Sequence, residues 1–293
     1  MYSSSELYRR LHNGNPGDLD FYRRIAGNNS RVLELGCGWG RVSAVLAKSG
    51  CHVHGLDNNR QFLTWAEQTV SRNALSSHCK FSLVDLARSG WRSELEKPFD
   101  FALLPYNTLY ALGGANNVLS CLRETAACLK PDGELWLDVY PVDELQEARD
   151  QEEELPDDDD EPVACWTDKG CQVTVTEKTE FVPGRQQLSV VYSAFSLHPP
   201  LANPGSPRRL GELRMTHDYL LLEQIADLMH DADFQSPLVT RGFSSGKAPA
   251  VIECSSAGQP PLDGEGERGA GAEERAEEPA DEWAQVIFGA QKK

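Results

Sequence analysis

Arg31-Val32-Leu33-Glu34-Leu35-Gly36-Cys37-Gly38-Trp39-Gly40 is the stretch that decides the fold. Val32 to Leu35 is an apolar run of strand length carrying one carboxylate, three glycines follow at alternating positions, and Arg41 to Lys48 is then compatible with a helix. The pattern is strand, tight turn, helix. Such a turn wants residues without a Cβ where the chain reverses and where a ligand lies against bare backbone. It also aims the free N–H groups of the helix start at that ligand. A dinucleotide fingerprint needs its third glycine three positions after the second, but that position here is Arg41, and the third glycine is Gly40. Glu34 at the strand tip would repel a pyrophosphate and suits an amine or sulfonium charge. The turn therefore favours a phosphate-free cationic nucleoside.

Glu34-Leu35-Gly36-Cys37-Gly38-Trp39-Gly40 resembles the acidic-x-Gly-x-Gly-x-Gly motif of class I S-adenosylmethionine-dependent methyltransferases, small-molecule type. In that family an acidic residue at the end of the second strand grips the ribose hydroxyls. The resemblance assigns this to Asp57, which closes Val53-His54-Gly55-Leu56-Asp57, with Asn58 beside it. Phe81-Ser82-Leu83-Val84-Asp85-Leu86 is similar to the family's third strand, whose acidic tip meets the adenine amino group, which implies Asp85 and Leu86. All three tips come in the family's order. The resemblance implies S-adenosylmethionine as cofactor, S-adenosylhomocysteine as product and no metal. Gly36, Cys37, Gly38, Gly40, Glu34 and Pro105 would then lie around the cofactor. It also implies an α/β fold, a Rossmann-like seven-stranded sheet with helices on both faces.

The 293 residues suffice for one large domain with a smaller one embedded. No apolar run approaches the ~20 residues that cross a bilayer, and Met1 to Glu6 lacks the basic start and apolar run of a secretion signal. A cytoplasmic, membrane-free protein is expected. The eight cysteines include no Cys-x-x-Cys and no zinc-finger spacing, so reduced thiols are expected, Cys165 and Cys171 included. The net charge of −17 is concentrated, with nine acidic residues from Asp150 to Pro162 and nine, against Arg268 and Arg275, from Ala257 to Glu282. Acidity thus describes two segments rather than a binding face, and a nucleic-acid partner, which needs a basic footprint, is disfavoured.

Along the chain, residues 1–30 read as a helical lid, with Leu7 to His12 and Leu19 to Ala26 as helices around Asn13-Gly14-Asn15-Pro16-Gly17-Asp18 turn chemistry. Small-molecule members of the resembled family cover the cofactor with such a segment and donate an aromatic, for which Tyr22 is the matching position. From 31 to 140 strands (31–35, 52–56, 79–84, 99–104, 133–139) alternate with helices, as right-handed crossovers require, and Lys130-Pro131-Asp132-Gly133 reads as a turn before the fifth strand. Residues 141–217 read as an acidic loop followed by an antiparallel insert, 172–177 and 188–197 as a hairpin and 209–216 as a third strand. By the resemblance this insert roofs the substrate cavity, as in sugar-amine and glycine-type N-methyltransferases. Residues 218–293 return to the sheet through a helix at 218–233 and a strand at 238–240. A glycine-, glutamate- and alanine-rich tract, 244–282, is expected to be disordered, and it is followed by a last strand in 283–290.

Methyl transfer from a sulfonium is an in-line displacement that depends mainly on positioning, and a base helps where the acceptor must lose a proton. In the resembled family the tip of strand four faces the transferred methyl, which implies Tyr106, Asn107 and Tyr110. Leu103 and Leu104 stand where adenine- or glutamine-directed members carry a polar residue and a proline, which disfavours planar amide or base methylation. His217, expected just after the insert's third strand, is the first choice of base and His12 the second, while His52 and His54 read as structural. Asp138 and Tyr140 could orient an acceptor. The reading is methyl transfer to a nitrogen or oxygen of a small molecule, with the oligomeric state open. The alternatives are a protein or peptide acceptor, a non-catalytic cofactor-binding partner subunit, a nicotinamide oxidoreductase disfavoured by Arg41 and Glu34, and an aminopropyl transferase disfavoured by Pro105-Tyr106-Asn107.

Overall fold

The architecture comes from a computed structural model that describes residues 1–96, 98–145, 162–168, 170–196, 208–243 and 285–293. The acidic run 150–161, the tract 244–282 expected to be disordered, and Leu197, Trp283 and Ala284 of two expected strands lie outside the described residues.

Strands β1 (Arg31–Leu35), β2 (His52–Asp57), β3 (Cys79–Leu83), β4 (Phe99–Leu104) and β5 (Leu129–Val139) are parallel. Four further strands, β6 (Pro162–Asp168), β7 (Cys171–Val182), β8 (Gln187–Ser196) and β9 (Arg208–Asp218), form a separate antiparallel sheet in sequence order. The chain then returns to the first sheet with β10 (Leu238–Arg241) and β11 (Val286–Gln291), giving the order β10-β11-β5-β4-β1-β2-β3 with β11 antiparallel to both neighbours. A strand covered on both faces needs continuous apolar sequence. Val32, Leu33 and Leu35 are accordingly buried, as are Leu103 and Leu104 beside them. The crossover helices α3 (Arg41–Lys48), α4 (Arg60–Arg72) and α5 (Ala115–Ala126) follow β1, β2 and β4.

Three boundaries differ from the sequence reading. Strand five begins at Leu129, so Lys130-Pro131-Asp132-Gly133 lies inside it as an irregularity where the β4 register jumps from Phe99↔Leu129 to Phe101↔Glu134. The insert has four strands rather than three: Pro162–Asp168 forms the edge strand β6, whose Ala164 and Trp166 turn toward the roof cluster while Val163 and Cys165 are exposed, so its sequence does not alternate. His217 lies within β9, opposite Leu188, rather than after it. Leu213, Met215 and His217 keep the two-residue period to the strand's end, and Tyr219 and Leu220 are buried before the helix α6 begins at Leu222 (Leu222–Asp231).

The N-terminal helices go to different places. In α1 (Ser4–Leu11), capped reciprocally by Ser3 and Glu6, Leu7 packs on Val173, Val175, Ala194 and Leu213 of the antiparallel sheet. In α2 (Asp18–Ala26), Phe21, Tyr22 and Ala26 join Val42 and Leu46 of α3 and Val53 and Trp136 of the main sheet.

Candidate active site

The glycine turn opens onto a cavity of about 500 Å³ that runs from the tips of β1, β2 and β3 to the underside of the antiparallel sheet. Gly36 and Gly38 line it, and all three turn glycines have positive φ. A Cβ on Gly38 would meet nothing within 4 Å, so its bare backbone faces open space; one on Gly40 would come within 3.1 Å of the Ala66 backbone in α4. Gly40 is therefore required by helix packing, while Gly38 leaves room for a ligand.

At the end of β2, Asp57 is 9 % exposed and lines the cavity. Its Oδ2 accepts from Gly38 N and its Oδ1 from Asn59 N, each at 2.8 Å, which ties the second strand tip to the glycine turn. Burial raises its pKa, opposed by these two backbone donors. Asn58, Val84, Asp85, Leu86, Ala87 and Phe62 complete this end. Asn59 starts α4 by accepting from Gln61 N and Phe62 N, which sets the Phe62 ring on the wall.

Between the two ends stand Tyr106 and Asn107, consecutive residues at φ 58° and 59°. Left-handed backbone at residues with a Cβ persists only where the surroundings over-determine it. Here Asp138 supplies that constraint: its Oδ1 accepts from Tyr106 N at 2.9 Å, its carbonyl from Asn107 N at 3.1 Å, and Asn107 Oδ1 accepts from Tyr140 N at 2.7 Å. The Asp138 side chain is buried, accepts from the Tyr22 hydroxyl and has its pKa pushed up to about 6 by burial. It is absent from the cavity wall, whereas its neighbour Tyr140 is on it.

The far end is roofed by Leu188, Val190 and Tyr192 of β8 and Met215, Thr216 and His217 of β9. His217 Nδ1 and the Tyr140 hydroxyl are 2.9 Å apart with stacked rings, and His12 Nδ1 lies 3.3 Å from the Tyr106 hydroxyl. Burial depresses both imidazoles to about 4, His12 further by the proximity of His217, so both are neutral at pH 7.

Several expected residues stand elsewhere. Tyr22 is fully buried, its hydroxyl on Asp138 and its ring against Phe21 and Phe243; the lid aromatic on the cavity wall is Tyr8 of α1. Tyr110 is core, its hydroxyl donating to the carbonyls of Tyr140 and Leu220, because the 3-10 turn Thr108–Leu112 rotates it behind Asn107. Glu34, Cys37 and Pro105 line a narrow adjoining gap of about 50 Å³ rather than the main cavity. Glu34 accepts from the Ser43 hydroxyl, and burial lifts its pKa to about 7. Its carboxyl is thus held by the protein. The readings of His54 and His52 concern the far side of β2, where His54 bonds Ser82 and His52 stacks on His78.

The sequence reading missed Tyr8, Phe62, Thr108 and Gln285 on the wall and put His12 second. One signal was available: Tyr8 and His12 are four apart, hence on one face of α1, next to the Leu7–Leu11 face that meets the roof. Among the described residues, no group of three or more His, Cys, Asp or Glu is placed to hold a metal, Cys165 and Cys171 are not in a disulfide, and no helix is long and apolar enough to cross a membrane.

Residues 32–133 match the family model described as a methyltransferase domain. Over this region the chain is similar to methyltransferase domains. Ubiquinone biosynthesis O-methyltransferase of Haemophilus ducreyi is 28% identical over 132 residues, which are 44% of this chain and 54% of that protein. The chain thus spans about half the length of the curated relatives it matches. Among solved structures, an S-adenosylmethionine-dependent methyltransferase from Clostridium acetobutylicum aligns with a TM-score of 0.65 at 12% identity, covering 98% of this chain and 96% of the other. CalS10, an amino pentose methyltransferase from Micromonospora echinaspora, aligns at 0.62 and 14%, covering 100% and 98%. Both likenesses extend over the antiparallel insert as well as the methyltransferase domain, and they speak to the fold.

Proposed function

We propose that this chain binds S-adenosylmethionine at the glycine-turn end of the cavity and transfers its methyl group, by in-line displacement, to a nitrogen or oxygen of a small molecule held under the antiparallel roof. The observation that carries the reading is the single cavity bounded by Gly38, Asp57, Asp85 and Leu86 at one end and by Tyr140 and His217 at the other. The residues present fit the cofactor: Gly38 leaves open space where a side chain would stand, and Asp57 offers a carboxylate already oriented by two backbone donors. The family resemblance and the S-adenosylmethionine bound in the structurally similar CalS10 support the same choice.

In this reading Asp57 holds the ribose hydroxyls, Asp85 and Leu86 the adenine, and Gly36 and Gly38 pass beneath the nucleoside. The bound cofactor supplies an electrophilic methyl on a sulfonium and leaves as S-adenosylhomocysteine. Tyr106 and Asn107, fixed by Asp138, set the distance between the two ends, which is where positioning contributes most to such a displacement. The segments 1–30 and 141–217 serve as lid and roof. Calorimetric titration tests the reading. S-adenosylhomocysteine should bind with a Kd on the order of micromolar, and Asp57→Ala should weaken it by ~10-fold or more, the loss of a charge-assisted hydrogen bond. NADH should give no heat. A folded protein that binds neither S-adenosylmethionine nor its product refutes the reading.

A further inference from the structure

The face of the main sheet that carries Leu33 is covered unevenly. Between β3 and β4 the chain makes a 3-10 turn, Trp91–Glu94, in place of a crossover helix, and Trp91 and Leu95 cover Leu33, Leu35 and Leu56 toward the strand ends. The strand starts stay open as a groove of about 380 Å³. Arg31 is paired with His52 and His54 with Lys80, so the two-residue period of a strand puts all four side chains on the Leu33 face, and all four line the groove. It stands at the other end of β1 and β2 from the glycine turn, roughly 17 Å along the strand.

The groove is basic in a chain whose net charge is −17. Arg31 and Lys80 stand on its wall with the imidazoles of His52, His54 and His78, and Glu96 is the one carboxylate there among the described residues. Arg31 is held in place, its guanidinium over the Phe99 ring and its Nη2 donating to the Glu96 carbonyl at 2.7 Å. The Glu96 carboxylate meets Lys80 Nζ at 3.2 Å, but with side chains 81 % and 57 % exposed this is a surface ion pair of little strength, and a stronger anion can displace it. His54 supplies a fixed donor. It is 6 % exposed, with Nε2 2.8 Å from the Ser82 hydroxyl. Burial, and then the Lys80 charge, depress its pKa to about 4, so the ring is neutral at pH 7. With Ser82 donating to Nε2, the ring hydrogen is on Nδ1, which has no partner among the described residues and is not sealed in the interior. His78, stacked on His52 at 4.9 Å, also keeps an unpartnered Nδ1.

We propose that this groove is a second binding site, for a phosphate group carried on a small organic molecule. The phosphate sits between the Arg31 guanidinium, the Lys80 ammonium and the Nδ1–H of His54, replacing the Glu96 carboxylate on Lys80, and the organic remainder lies along the His52–His78 stack. Donors reaching in from β1, β2 and β3 suit the several oxygens of a tetrahedral anion better than the two of a carboxylate. The groove is larger than a free phosphate ion needs, which leaves volume for the remainder. The site shares no wall residue with the cofactor cavity and is independent of the methyltransferase reading.

The test is calorimetric titration of the full chain, with and without S-adenosylhomocysteine, using ribose 5-phosphate, inorganic phosphate, ribose and acetate in a low-salt buffer. Ribose 5-phosphate should bind with a Kd on the order of 1 mM or tighter, inorganic phosphate more weakly, and ribose and acetate not measurably. Lys80→Met and Arg31→Met should each weaken ribose 5-phosphate by ~10-fold, the loss of a charge-assisted hydrogen bond, and leave S-adenosylhomocysteine affinity as it was. Glu96→Gln removes the competing carboxylate and should tighten binding several-fold, a change that a damaged fold would not produce. Nitrogen NMR should show the Nδ1 resonance of His54 moving as ribose 5-phosphate is added. No heat at ~10 mM ribose 5-phosphate, or an affinity that neither Lys80→Met nor Arg31→Met alters, overturns the inference. Acetate binding as tightly as ribose 5-phosphate overturns the choice of phosphate, and inorganic phosphate binding as tightly overturns the organic remainder. Displacement of ribose 5-phosphate by S-adenosylhomocysteine would place it in the cofactor cavity and overturn the second site.

Discussion

α1 and α2 are amphipathic helices joined only by residues 12–17, and the sequence reads them as one lid. The structure separates them. α2 is anchored into the methyltransferase domain: Asp18, buried at its start, receives two hydrogen bonds from Arg41 of α3 (2.8 and 2.6 Å), and Tyr22 reaches Asp138 at the tip of β5. α1 belongs to the roof. Tyr2 N donates to Leu210 O, Ser4 Oγ to Glu212 O, and Leu7 sits in the roof's own cluster. The methyltransferase domain touches α1 through a lighter set of contacts, Asn59 Nδ2 to Ser5 Oγ at 3.0 Å, the Tyr8–Phe62 ring pair, and Arg9 over Trp39 and Trp65. Of two similar helices, one supports the floor behind the site and the other forms a wall of the cavity. Amphipathic periodicity says that a face will be buried, and nothing about which surface will bury it.

The contrast can be broken most forcefully at the α2 anchor. Arg41→Met leaves Asp18 buried without its cation and should cost ~3–5 kcal/mol of stability, read by urea unfolding at pH 7. A loss below ~1 kcal/mol, the range of an exposed pair, would mean that α2 is not held there.

The gap beneath α1 gives the next largest effect. Glu34 faces it beside Tyr8 and His12, and burial lifts its pKa to about 7 from 4.5. Because the folded pKa lies above the unfolded one, the native state holds this proton longer. The stability it contributes is present below pH 4.5 and is lost as pH rises through about 7. Glu34→Gln should remove this fall, making the change in unfolding free energy between pH 5 and 8 smaller by on the order of 2 kcal/mol. An unchanged pH profile would show that the gap under α1 is wet.

The mildest test compares the two tyrosines directly. Tyr22→Phe removes the hydroxyl that meets Asp138 and should cost ~1–2 kcal/mol of stability without changing S-adenosylhomocysteine affinity. Tyr8→Ala should instead weaken that affinity by roughly 5-fold, the scale of one lost aromatic contact of about 1 kcal/mol. If the two outcomes are exchanged in calorimetry, the assignment of α1 to the wall and α2 to the floor is wrong.

Much of the parallel sheet was legible because its cause is local. Val32 to Leu35 reads as a strand and Gly36, Gly38 and Gly40 as a turn from the local sequence alone. Asp57 and Asp85 follow once strand ends are found, since parallel strands joined by right-handed crossovers bring their carboxyl ends to one edge. The misplaced residues share a different cause. Tyr110 lies one 3-10 turn beyond Asn107, and only the left-handed backbone at Tyr106 and Asn107 decides that one aromatic faces the cavity and the other the core. That backbone is held by Asp138, some thirty residues along the chain. β6 was hidden because Val163 and Cys165 stand on its exposed face, so apolar and polar residues do not alternate in the sequence even though burial does.

The sequence by itself determined the turn, the order of the strand tips and the existence of an antiparallel insert, because these depend on glycine at a reversal, on apolar periodicity and on chain connectivity. Only the tertiary structure decided that Tyr8 rather than Tyr22 lines the cavity, that Glu34 is bonded to Ser43 inside a gap, and that His217 of the roof stacks on Tyr140. Each of those depends on burial and on a hydrogen-bond partner contributed by another element, and a partner is fixed only when the sheets have packed.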